Sequence, residues 1–147
     1  MMREVKFRVW DKKEKVMISH SELFDIDCNN DYPFLALIKG YYAESGAKLL
    51  PGIDPNTMQC TGLKDKNGTE IYEGDITTNE LCKSEGLAFV VFYDSEKAMF
   101  KQRPFMYKYN GRKLGSTGLT LQMDSVENKE VIGNIYENSE LLQGGNN

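Results

Sequence analysis

One histidine, three scattered cysteines, no excess of positive charge and no long apolar run: each shortage in this sequence removes a class of function. His20 is the single imidazole, so a Ser or Cys nucleophile has one candidate base, and neither a GxSxG elbow nor a Cys-His signature accompanies it. Cys28, Cys60 and Cys82 are odd in number and lack CxxC spacing, which reads as reduced thiols rather than a zinc or redox site. The loop "DCNNDY" lacks the terminal Glu of a calcium loop. No metal or cofactor is expected. With 18 Lys and Arg against 22 Asp and Glu, the net charge of −4 and pI near 5.1 argue against a protein that coats nucleic acid. No apolar stretch approaches the roughly 20 residues of a bilayer span. The start, "MMREVKFRVWDKKEK", is charged throughout and carries no signal-peptide core, so a cytoplasmic location is expected.

What is present is alternation and turn chemistry. The chain has 147 residues, 40% of them hydrophobic, about one domain's worth of core. Val5, Phe7 and Val9 alternate with Lys6, Arg8 and Trp10, the period of a half-buried strand, and "DKKEK" turns it back into "VMI", giving a hairpin over residues 5–18. No period holds from Ser19 to Asp31, and His20 falls in that loop. Phe34, Leu37, Ile38, Tyr41 and Tyr42 share one helical face, with Asp31 as a cap and Pro33 in the first turn, so a helix is expected over 34–42. "LLPGIDPN" then reads as an extended linker. Everything after it reads as β-structure. "LAFVVFY", Leu87 to Tyr93, is apolar on both faces and is expected to be a central strand, and "VIGNI" is a last strand before one helical turn capped at Asn138 or Ser139. The expected fold class is mainly β with some α+β character, divided into residues 1–56, a hairpin and a helix, and residues 57–147, a strand-rich domain ending in a short helix.

The stretch "TGLKDKNGTEIYEGDI", Thr61 to Ile76, carries three glycines among charged residues and invites comparison with a phosphate loop. It lacks the following helix and the Lys and Ser or Thr such a loop requires. Asn67 and Gly68 instead predict a type I′ hairpin turn, Gly74 predicts a second sharp turn, and Asp75 is placed to bond a nearby backbone amide.

Together with "RVWDKKEKVM" near the start and "VIGNIYENSELL" at the end, the block "CTGLKDKNGTEIYEGDI" resembles the signature of the YopX family, proteins of bacteriophages and prophages of low-GC Gram-positive bacteria. The order and spacing of the three blocks agree with that signature, and together they cover about a quarter of the chain. Cys60 stands where an aromatic is usual before TGL, and Ser139 where Pro is usual. The resemblance implies a mostly β fold with an SH3-like small barrel in the C-terminal part and an N-terminal extension. It supplies no catalytic residues.

One constellation invites a binding role. In "KQRPFMYKYNGRK", residues 101–113, Lys101, Arg103, Lys108, Arg112 and Lys113 interleave with Phe105, Tyr107 and Tyr109. Small barrels bind single-stranded nucleic acid with such segments, aromatics stacking on bases while cations follow phosphates. Alternation alone also yields this pattern, as a strand with a core side and a wet side, and that reading is the stronger. Trp10 lies opposite the Val5, Phe7 and Val9 face and reads equally as a partner anchor or a satellite of the core. Glu70, Glu73 and Asp75 are carboxylates beside a turn, which supports no acid–base pair. The expectation is a non-enzymatic protein that binds a protein partner or itself, with nucleic acid as the alternative that acidity disfavours.

Overall fold

The computed structural model describes residues 5–12, 14–25, 57–108, 120–123 and 126–143; the expected helix over 34–42 and Cys28 lie outside them. The chain divides into two compact units, Lys6–Gln59, and Cys60–Asn147 together with Met1–Val5. The architecture is mainly β.

In the first unit the expected hairpin forms from β1 (Phe7–Asp11) and β2 (Val16–Ile18), antiparallel with Val9 opposite Ile18 and Asp11 opposite Val16. Asp11 closes the turn: its carboxylate accepts from the Glu14 N–H at 3.0 Å and its carbonyl from the Lys15 N–H at 2.8 Å. On its other side β1 pairs with the first residues of β3 (Thr57–Lys64), Phe7 opposite Gln59 and Val9 opposite Thr57. His20 is not in a loop. It opens the short helix α1 (His20–Asp25), and its Nδ1 accepts from the Phe7 N–H at 3.2 Å. The helix starts here because Ser19 caps it, its Oγ accepting from the Glu22 N–H at 3.3 Å in a Ser-x-x-Glu box.

In the second unit β3 continues from Cys60 and pairs with β4 (Glu70–Tyr72), with a register shift between Cys60 and Lys64. The remaining elements are β5 (Asp75–Thr78), α2 (Glu80–Ser84), β6 (Leu87–Asp94), β7 (Met99–Met106), β8 (Leu121–Gln122), a 3-10 turn at Val126–Asn128, β9 (Glu130–Asn134) and α3 (Ser139–Gln143). The last five strands form one antiparallel sheet in the order β8-β7-β6-β5-β9, curled into a half-barrel. As its composition predicts, β6 is central. Two apolar clusters cover its two faces. Val91 belongs to the cluster with Ile71, Met123 and Val126, against which Phe100 and Val131 pack. Ala88 belongs to the cluster of Ile76 and Tyr107, joined by Val90, Phe105, Ile132 and Leu141 of α3. The side-chain period of two explains the split: odd residues of β6 serve one cluster and even residues the other.

A polar pair sits within the half-barrel. Gln102 is fully buried opposite Val91, donates from Nε2 to the Gln122 carbonyl at 2.7 Å, and accepts from Lys129 Nζ. Lys129 is 3% exposed, with its ammonium 3.4 Å from the centre of the Phe89 ring. Burying a cation is costly without such partners, and the aromatic face and the amide oxygen together supply them.

Helix α2 is the element that the all-β reading of this half leaves out. Asn79 begins it, its Oδ1 accepting from the Cys82 N–H at 2.8 Å. Asn79 at the cap, Glu80 in the first turn and Gly86 just past the end are the signals that identify it.

Candidate functional site

The glycine-rich stretch is a scaffold turn, though not of the expected type. A type I′ turn needs positive φ at both central residues. Among the described residues the non-glycine positions with positive φ are Lys15 and Ala98, and within the turn from Asp65 to Thr69 Gly68 alone adopts it, at +81°. The Gly68 N–H donates to the Asp65 carbonyl at 3.0 Å and the Asp65 N–H to the Thr69 carbonyl at 2.9 Å, which defines a type I turn over Asp65–Gly68 with Gly68 as the left-handed closing residue. Asp65 makes the difference. Its Oδ1 accepts from the N–H groups of Asn67 at 2.8 Å and Thr69 at 2.9 Å, which keeps Asn67 out of the positive-φ region that a type I′ turn needs.

The same carboxylate reaches across the unit: Oδ2 accepts from the Val131 N–H of β9 at 2.9 Å, while the Lys66 N–H donates to the Lys129 carbonyl. Burial pushes the Asp65 carboxyl up, but the N–H donors of Val131, Thr69 and Asn67 outweigh it and hold the group below its ordinary 3.8. Asp75 behaves as expected, its Oδ2 accepting from the Tyr72 N–H at 2.8 Å beside Gly74, whose φ is +80°. Both carboxylates are therefore committed to backbone amides.

The basic and aromatic segment divides. Tyr107 is 7% exposed and is part of the core, and Phe105 is half-buried against the same cluster, so neither offers an open face to a base. Lys101 is bound to Asp94 at 2.8 Å, and with the N–H groups of Lys97 and Glu96 that contact draws the Asp94 carboxyl below its ordinary value against a smaller opposing effect of burial. Lys108 is exposed, its ammonium 5.5 Å from the centre of the Tyr107 ring. Tyr109, Arg112 and Lys113 lie outside the described residues. Trp10 is half-buried on β1 in the other unit.

Arg103 is the cation of β7 itself that the fold leaves available. It is exposed on β7, pairs with Val90 of β6, and lays its guanidinium over the half-buried Phe92 ring at 4.8 Å. Among the described residues that guanidinium makes no hydrogen bond or ion pair. Phe92 escapes a reading of residues 101–113 because it comes from the neighbouring strand; the signal for it is the diagonal cross-strand position relative to Arg103. A guanidinium seated over a ring with its donors unspent is available for bidentate capture of a carboxylate or phosphate.

Other charged groups form a surface network: Lys66 lies 3.6 Å from Glu80 and 3.8 Å from Glu130, and Lys83 3.6 Å from Glu130. Among the described residues no group of three His, Cys, Asp or Glu side chains is placed to hold a metal ion, and no helix is long and apolar enough to cross a membrane.

Comparison with known proteins adds a family. A family model described as "YopX protein" matches residues 6–143. No curated protein matches. Among solved structures the chain is similar to the crystal structure of protein EF1440 from Enterococcus faecalis, with 27% sequence identity, coverage of 96% of this chain and 99% of that one, and a TM-score of 0.49.

Proposed function

The chain belongs to the YopX family, and on that premise we propose that it is a non-enzymatic accessory protein of a bacteriophage or prophage, acting in the cytoplasm of a bacterial host by binding a protein partner or a second copy of itself. The binding face is the side of β6 and β7 that carries Arg103 and Phe92. One observation carries this reading: an exposed guanidinium seated over an aromatic ring, with its hydrogen-bond donors unspent among the described residues. Arginine is among the residue types that recur at interface hot spots, and its planar fork loses little freedom per hydrogen bond formed.

Single-stranded nucleic acid fits the same face less well. Bases need open rings, whereas Tyr107 is in the core and Phe92 lies under Arg103. The chain's net charge of −4 opposes a phosphate backbone as well. The test is affinity purification from induced host cells of the parent chain and of an Arg103→Glu, Phe92→Ala double variant. A stoichiometric protein, or a second differently tagged copy, retained by the parent and lost from the variant supports the reading. Co-purifying nucleic acid, or a partner retained equally by both, overturns it.

A further inference from the structure

Resting on that reading, we infer that the ligand of the β6–β7 face is an extended acidic segment of a partner protein, one carboxylate of which docks on the Arg103 guanidinium and a second on Lys108. Three described cations belong to this stretch of β7 and its end, and they are not equivalent. Lys101 is spent on Asp94 at 2.8 Å, in a pair whose side chains are 15% and 19% exposed. Arg103 and Lys108 are both exposed, and their ammonium and guanidinium groups rest on rings rather than on acids. The unspent charge is therefore two positive sites five positions apart in sequence, one on β7 and one in the bend just past its end, on a chain that is acidic as a whole.

That spacing selects between polyanions. A nucleic-acid strand presents a phosphate at every nucleotide and gains when cations line its path, but here the third cation is cancelled by Asp94. A peptide places its carboxylates where sequence puts them, so two acids at a matching spacing meet both free cations. The planar fork adds geometry: Arg103, seated over Phe92, can donate to both oxygens of one carboxylate, and a fork already seated on a ring loses less entropy on binding.

The experiment is fluorescence anisotropy of the full chain with fluorescein-labelled poly-L-glutamate, against labelled oligothymidylate of equal charge, at low salt and with salt added. Poly-L-glutamate is expected to bind more tightly than oligothymidylate, and Arg103→Gln to weaken it about tenfold, the loss of a charge-assisted hydrogen bond. Arg103→Lys keeps the charge without the fork and is expected to recover only part of the affinity. Lys64→Gln, an exposed change on β3, is expected to leave binding unchanged. Melts of all variants establish that each is folded. No binding of poly-L-glutamate, full recovery by Arg103→Lys, or equal binding of oligothymidylate overturns the inference. If it falls while partner capture from host cells still depends on Arg103, the acidic chemistry is wrong and the binding face stands; if capture is also indifferent to Arg103, the face itself is wrong.

Discussion

At the scale of single residues, two glycines separate strain from crowding. Gly68 has a φ of +81° and nothing within 4 Å of where a Cβ would stand, so Gly68→Ala meets only the left-handed backbone penalty, about 1 kcal/mol. Gly86 has a φ of +71°, and a Cβ there would stand 2.3 Å from the Lys108 carbonyl oxygen. That neighbour is itself tied down, since the Tyr107 and Lys108 N–H groups both donate to the Gly86 carbonyl. Gly86→Ala therefore adds about 1 to 3 kcal/mol of overpacking to the same strain, and urea melts should rank it well below Gly68→Ala. Asp65 gives a second prediction. Its carboxyl is held below the ordinary value in the folded chain, so its contribution is present above that value and is lost as pH falls through the range below 3.8. Asp65→Asn removes the charge that accepts three N–H groups and should cost about 2 kcal/mol near neutral pH. The gap between parent and variant should narrow as pH is lowered. A gap that stays constant in acid-titrated urea melts would show that the charge is not what stabilises the turn.

At the scale of elements, α2 is held by its cap more than by its length. It is one turn long, has no buried residue, and carries Leu81 at 77% exposure, so little packing supports it. Asn79→Ala removes the oxygen that accepts from the Cys82 N–H and should cost about 1 kcal/mol, with hydrogen exchange at Cys82 and Lys83 rising more than in β6. The hairpin of β1 and β2, the central strand β6, the last strand β9 and the terminal helix α3 are legible in the sequence, because alternation and turn residues act locally there. Helices α1 and α2 are less so, since each is too short to show a 3.6 period and is announced only by Ser19 with Glu22, or by Asn79 with Gly86. The turn at Asn67 and Gly68 was legible as a turn and not in its type. Asp65 is the cause, and its third acceptor bond goes to Val131, 66 positions along the chain. The candidate face is hidden in the same way: Arg103 is visible within its segment, but Phe92 reaches it only through the pairing of β6 with β7, and Lys101 is withdrawn by an acid from the strand before.

At the scale of the whole molecule, the second unit is a sheet with two separate cores, and this constrains how damage to it combines. Ile71 packs with Val91 and Val126, Ile76 packs with Ala88 and Tyr107, and the two clusters lie on opposite sides of β6. Both isoleucines are fully buried. Ile71→Val and Ile76→Val should each cost about 0.5 to 1.5 kcal/mol, the usual effect of one buried methylene. Because the two clusters share no residue, the double variant should lose the sum of the two within about 0.5 kcal/mol. Yet both cores hang on one sheet, so each single change should shift the midpoint of one cooperative transition in the Cys60–Asn147 unit rather than open a separate one. The measurement is a four-member urea cycle followed by both far-ultraviolet dichroism and tyrosine fluorescence. Additive losses with coincident transitions fit two cores on one sheet. A coupling energy above about 1 kcal/mol would mean that the two faces communicate through β6.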